Sequence, residues 1–357
     1  MGKKNWLTGI LTVTVLLSVL AGPCPARVTG ACVNCHTMHN SQNNMPVTDS
    51  GSPNQALLIS DCIGCHTGQN TGINDEPYVH DTNPPLYGAT GTENSSNTLA
   101  GGSFYWVSIG PQYDRMGHNV EGLAAPDATL SLPPGGDGSF AGQLRCAGSM
   151  GCHGNPLEAE QIPALKGGHH YKDHLIWQDG STLAKSYRFL DTIQGFGDSS
   201  YEYHPTDLRH NKYYGLDRSA ESDQASGTIS SLCARCHKYF HNGTDSVAPG
   251  STFGIGVWIR HPTDFDMSNA TSSGEYQGYN GGSGTGNPYS VISPVATADA
   301  STTLNTTVYT RANDAVVMCL SCHRAHGSPY TSSLRWDYRA WPAGGYNGCA
   351  VCHTSKN

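Results

Sequence analysis

"CLSCHRAHGS", residues 319–328, sets two cysteines three positions apart, a histidine directly after the second, and a further histidine three residues on. C-x-x-C-H is the attachment signature of a c-type haem. One turn of backbone brings both thiols to the two vinyl groups on one porphyrin edge, and the adjoining histidine then lies under the iron as proximal ligand. A zinc ribbon needs converging cysteine pairs and gives no reason for a histidine after each one. Redox-active or structural disulfides give no such reason either.

The unit recurs as "CVNCH" (32–36), "CIGCH" (62–66), "CARCH" (233–237) and "CAVCH" (349–353). A stretched version, "CAGSMGCH" (146–153), has five residues between its cysteines, yet His153 still follows the second directly. Its Gly148 and Gly151 allow the extra residues to bulge outward while the thiols keep their approach, with Met150 a loop residue. Six covalent c-type haems are therefore expected, on Cys32 and Cys35, Cys62 and Cys65, Cys146 and Cys152, Cys233 and Cys236, Cys319 and Cys322, and Cys349 and Cys352. The proximal ligands are then His36, His66, His153, His237, His323 and His353.

Composition agrees with a cofactor-filled core. Only 37% of the 357 residues are hydrophobic and 43 are glycine, thin material for a protein-only interior, while 18 Tyr and 13 Cys argue for order. Motif starts are separated by 30, 84, 87, 86 and 30 residues, and no sequence repeat divides the long segments. They are rich in Gly, Ser, Thr, Asn and Pro, as in "TENSSNTLAGG" (92–102), and read as loops. The expected fold is a multihaem cytochrome c, mostly irregular, with few short helices and strands wrapped around a row of haems. Helices are expected around the motifs and within 157–170, and strands at "SFYWVSI" (103–109) and "TFGIGVWI" (252–259).

Lys3 and Lys4 precede an apolar run from Leu7 to Ala21, followed by small residues up to Ala26, which reads as an export signal over 1–26. The run is too short to be preferred as a membrane span. Cleavage after Ala26 removes Cys24, leaves every remaining cysteine in a motif, and makes 27–357 a single domain. The formal charge of −8 argues against nucleic acid as a partner.

Of 17 histidines, six sit in motifs, a surplus that favours a second histidine on each iron over methionine. His39, His241 and His326 follow motif histidines by three or four residues, so each shares a helical face with its proximal neighbour. Two ligands on one face cannot clamp one iron from opposite sides. Each must reach a different haem, which draws the porphyrins together.

The chain resembles the extracellular multihaem c-type cytochromes that polymerise into conductive filaments. The resemblance is carried by "CVNCHTMHNS" (32–41), "LAGGSFYWV" (99–107), "RMGHNV" (115–120), "LCARCHKYFHN" (232–242), "IRHP" (259–262), "CLSCHRAHGS" and the terminal "CAVCH". The Gly-His-Asn-Val and Ser-Cys-His-Arg-Ala-His stretches also recur in related periplasmic cytochromes. The resemblance implies distal roles for His39, His80, His118, His241, His261 and His326, with His39 ligating a haem of the adjacent subunit. A histidine expected soon after the third motif is missing; "GGHHYKDH" (167–174) offers His169, His170 and His174, with His170 taken as the candidate. His204 and His210 are read as non-ligands.

The expected function is electron transfer along a bis-histidine haem row, secreted or at the cell surface, in a homopolymer filament. Partners would be other redox cytochromes and extracellular acceptors such as metal oxides. The alternatives are a monomeric periplasmic or cell-surface carrier and, from another class, a multihaem reductase. A reductase needs an iron with a free face, and no C-x-x-C-K variant marks one.

Overall fold

The computed structural model describes residues 31–48, 51–72, 76–88, 96–140, 142–166, 169, 187–198, 200–218, 225–240, 246–247, 258–259, 263–269, 275–299, 301 and 303–355. The export-signal reading of 1–26, Cys24, and the candidates His170, His174, His241 and His261 fall outside the described residues.

Regular structure is short throughout. The longest described helical segments, Pro111–Met116 and Ile229–Ala234, have six residues each. Among the described residues, strands of two or three residues pair in twos. Glycine and asparagine break the chain before longer elements propagate, and backbone groups are satisfied by turns and isolated bridges.

Three small apolar clusters replace one core, and each leans on an attachment cysteine. Phe104, Val107 and Val120 pack against Cys146. Leu190, Ile193, Tyr213, Ile229 and Met318 pack against Cys233. Met267, Tyr279, Tyr289, Val308 and Val317 pack against Cys352. Apolar surface is thus gathered where the motifs lie. Among the described residues, no helix is long and apolar enough to cross a membrane.

Helical turns lie where they were expected, at Gln161–Ala164 and at the motifs, as in Cys62–Cys65 and Ile229–Ala234. The segment 103–109 differs from expectation: Tyr105–Ser108 is a helical turn and not a strand. Phe104 and Val107, three apart, are the buried pair, and the Ser108 hydroxyl donates to the Tyr105 carbonyl at 2.7 Å. In so short an apolar run a period of two and one of three to four cannot be told apart. Of 252–259, the described part, Trp258–Ile259, is a strand paired with Ser246–Val247.

Candidate haem sites

All five C-x-x-C-H units fold as one tight turn. In each, the histidine N–H donates to the carbonyl of the first cysteine: His36 to Cys32 at 2.8 Å, His66 to Cys62 at 2.9 Å, His237 to Cys233 at 2.9 Å, His323 to Cys319 at 3.1 Å and His353 to Cys349 at 2.8 Å. Asp61 caps the second turn by accepting from the Gly64 N–H, and Thr228 caps the fourth by accepting from the Ser231 N–H.

The third site reaches a related arrangement by another route. Strands Arg145–Ala147 and Gly151–His153 lie parallel, with Arg145 opposite Gly151 and Ala147 opposite His153, so Cys146 and Cys152 run side by side. The loop between them turns at Gly148, whose φ is 81°. Gly151 is required by space, because a Cβ there would stand 2.5 Å from the Ala147 nitrogen.

Every motif imidazole is oriented through Nδ1. Five face a backbone carbonyl: His36 that of Ala56 at 2.9 Å, His66 that of Pro77 at 2.9 Å, His153 that of Arg188 at 3.1 Å, His237 that of Pro134 at 2.6 Å and His323 that of Ser332 at 2.7 Å. His353 faces Glu275 Oε1 at 2.9 Å. Carbonyl and carboxylate oxygens only accept, so Nδ1 carries the proton and Nε2 keeps a bare lone pair. Outside the motifs, His118 is held in the same way, donating from Nδ1 to the Ala325 carbonyl at 2.6 Å.

Three pairs of imidazoles face one another across remote parts of the chain. Ring centroids are 6.2 Å apart for His66 and His169, 6.3 Å for His153 and His326, and 6.1 Å for His118 and His237. Two metal–nitrogen bonds of about 2 Å and two ring radii of about 1.1 Å total roughly 6.2 Å, so each separation leaves room for one metal ion between two ring nitrogens. Burial pushes His118 and His153 down, and drives His326 to about 3 with His153 next to it adding to the shift. These rings are therefore neutral at physiological pH, the form a metal requires.

The remaining candidates are arranged differently. His39 is exposed and, among the described residues, faces no other imidazole. His80 has Thr67 Oγ1 at 3.1 Å from Nδ1 and Ser108 Oγ at 3.1 Å from Nε2, so hydroxyls hold both its nitrogens. His210 is buried and stacks on Tyr289 at 3.9 Å. Of the trio after the third motif, His169 is the one seen facing a motif histidine. Nothing local in the sequence marks His169 over its neighbours His170 and His174, which lie outside the described residues.

Thiols of successive motifs are neighbours. The Cys62 thiol lies beside that of Cys146, and the Cys233 thiol beside that of Cys319. Burial raises Cys65, with Cys35 adding to it, and burial pushes Cys236 up to about 11, with Cys152 adding. Cys322 is raised by burial and then by Cys352 and Cys349. The described cysteines form no disulfides.

This donor set fits a c-type haem: paired thiols, an imidazole beside each pair oriented through Nδ1, and three imidazole pairs at a separation that would hold a single metal. Residues 312–357, which contain the fifth and sixth motifs, match the doubled CXXCH motif family. The chain is 26% identical over 362 residues to the C-type cytochrome OmcS of Geobacter sulfurreducens, covering 86% of this chain and 78% of that one. This chain is similar to OmcS. Two solved structures also align, an outer membrane cytochrome S filament at 22% identity and the OmcS nanowires at 23%, both from Geobacter sulfurreducens. The first covers 87% of this chain and 84% of that one with a TM-score of 0.45. The second covers 88% and 85% with a TM-score of 0.47. The similarity to OmcS runs along most of the chain, whose architecture is loop-rich with few short elements, as the motifs predicted.

Proposed function

We propose that this chain is an extracellular electron carrier with six covalent c-type haems in one row, each iron held by two histidines, and that copies join into filaments. The observation that carries the reading is the set of three opposed imidazole pairs at 6.1 to 6.3 Å.

Haem at these sites supplies one-electron oxidation and reduction at its iron. The chain supplies placement. Cys32 and Cys35, Cys62 and Cys65, Cys146 and Cys152, Cys233 and Cys236, Cys319 and Cys322, and Cys349 and Cys352 tether it. The six motif histidines would each bind an iron, with His169, His326 and His118 as the second ligands of the irons held by His66, His153 and His237. His36, His323 and His353 then draw on His39, His80, His170, His241 and His261, with His39 reaching into the next subunit. The neighbouring thiols imply a row that follows the motif order, and the Nδ1 hydrogen bonds fix each ring so that little rearranges when charge changes.

With histidine on both faces no iron has an open position, so the reading is a carrier and not an enzyme. The similarity to OmcS, and the filament and nanowire form of the aligned structures, support a homopolymer outside the cell. Residues 1–26 would act as the export signal and 27–357 as one domain. Other redox cytochromes and metal oxides are the expected partners, and the negative charge disfavours nucleic acid.

Intact mass, electron paramagnetic resonance and negative-stain microscopy test the reading together. Six haems, an all-low-spin spectrum and uniform thin filaments are expected. A five-haem mass would remove the third site, a high-spin signal would open an axial position, and monodisperse particles would leave a monomeric carrier.

A further inference from the structure

The six motif histidines are oriented by two chemically different acceptors. Five donate to neutral backbone carbonyls, and His353 donates to the Glu275 carboxylate. Glu275 is itself fastened to the chain just past the motif. Its Oε2 accepts from the Ser355 hydroxyl at 2.6 Å, and its backbone carbonyl accepts from the Thr354 hydroxyl at 3.0 Å and the Thr354 N–H at 3.4 Å. Glu275 and His353 are partly buried, with side chains 21% and 23% exposed, so solvent screens their interaction less than at an open surface. The His353 ring also packs against Tyr276 at 5.4 Å.

A carboxylate draws the Nδ1 proton toward itself and leaves more electron density on Nε2, making the imidazole a more basic ligand. A more basic ligand favours the oxidised iron, and a fixed negative charge nearby acts in the same direction. A neutral carbonyl does the first weakly and the second hardly at all.

We propose that Glu275 makes the site of Cys349, Cys352 and His353 the lowest-potential centre of the row, and so its electron-donating end. This deepens the electron-carrier reading and rests on it. An electron passing from this site to its neighbour at Cys319 and Cys322 oxidises the first by one and reduces the second by one. The Nδ1 proton stays shared between His353 and Glu275, so no proton need be exchanged. Glu275 acts through His353 and is a positioning residue.

Spectroelectrochemical titration of the purified holoprotein at fixed pH tests this, with haem count by mass and spin state recorded alongside. In Glu275→Gln, which keeps an acceptor oxygen but no charge, the lowest-potential step should move upward while the higher steps stay in place. Glu275→Asp should restore the low step. In Ser355→Ala, which removes a donor from Oε2 and leaves more charge for Oε1, that step should move further down. Superimposable wild-type and Glu275→Gln curves, or a shift confined to a higher step, would overturn the proposal. If Glu275→Gln fails to load haem, an unmoved lowest step in Ser355→Ala overturns it. Failure of the underlying reading shows separately, as a high-spin signal or a low haem count in the wild type.

Discussion

His118 and His326 stand side by side and face opposite partners. The His118 N–H donates to the His326 carbonyl at 3.3 Å, and its Nδ1 to the Ala325 carbonyl at 2.6 Å, while the two rings oppose His237 and His153. One short contact between remote segments thus places axial candidates for two successive sites. His326 belongs to the fifth motif's own stretch, so that stretch contributes to three sites at once.

Removing the His326 ring should therefore open one site without detaching its haem. His326→Gly is expected to convert one low-spin centre, the one held by His153, to high spin, and added imidazole should return it to low spin. Paramagnetic resonance of the purified variant checks both steps. An unchanged all-low-spin spectrum would mean that His153 takes its partner elsewhere.

The third site should be sensitive at Gly151. A methyl group there meets Ala147 backbone atoms at 2.5 to 2.7 Å. The two strands holding Cys146 and Cys152 in register would have to separate, at a cost of about 1–3 kcal/mol. Gly151→Ala should lower the thermal midpoint and yield protein lacking one haem by mass. Full haem content with an unchanged midpoint would show that the strand register is not needed for attachment.

Attachment chemistry was legible because it is local: thiols and ligand lie within one turn, and spacing alone specifies them. The form of the stretched motif was not legible, since parallel strands replace a turn there and Gln161, whose side chain accepts from the Cys146 N–H at 2.9 Å, helps hold them. Opposed pairs were not legible. His66 and His169, or His118 and His237, are over a hundred residues apart, and no local pattern records which remote ring crosses which iron. The second motif shows this best: His169 lies near His66, and nothing local in the sequence marks it among the histidines within 167–174. Glu275 carried no signal either, being an isolated carboxylate far from any motif in sequence.

Acid should weaken the fold through Lys212 and Asp299. The Lys212 ammonium is buried, its side chain 2% exposed, and donates to Asp299 Oδ2 at 2.8 Å and to the Ser301 and Thr303 carbonyls at 2.9 and 2.8 Å. Burial lowers Lys212, with Asp299 working against it. Burial works to raise Asp299, but hydrogen bonds from Lys212 and Ser301 outweigh it and hold the carboxyl well below its usual 3.8. A depressed carboxyl contributes stability that is present above the unfolded value and lost as pH falls below it. Wild-type stability should thus decline below about pH 4 as Asp299 protonates. Lys212→Met should cost about 1–3 kcal/mol at neutral pH and make that acid limb shallower, with Arg311 still donating to Asp299 Oδ2 at 2.7 Å. Denaturant unfolding at several pH values checks this, and parallel acid limbs in both proteins would refute it.

Assembly should depend on the exposed surface around the first attachment motif. His39 is exposed, and around it Val33 is 71%, Met38 82% and Met45 67% exposed, an apolar surface that water covers poorly. All four lie beside the first attachment motif, so a second copy covering them would also bring its haems next to Cys32 and Cys35. His39→Ala removes a candidate ligand and leaves the apolar surface, whereas Met38→Asp keeps the ligand and charges the surface. Both should give six-haem subunits that fail to form filaments under negative stain. They should differ in spin state: His39→Ala leaves one high-spin centre even at high protein concentration, while Met38→Asp becomes low-spin throughout as concentration forces contact. Filaments of normal length from His39→Ala would place the distal ligand of that site within the subunit.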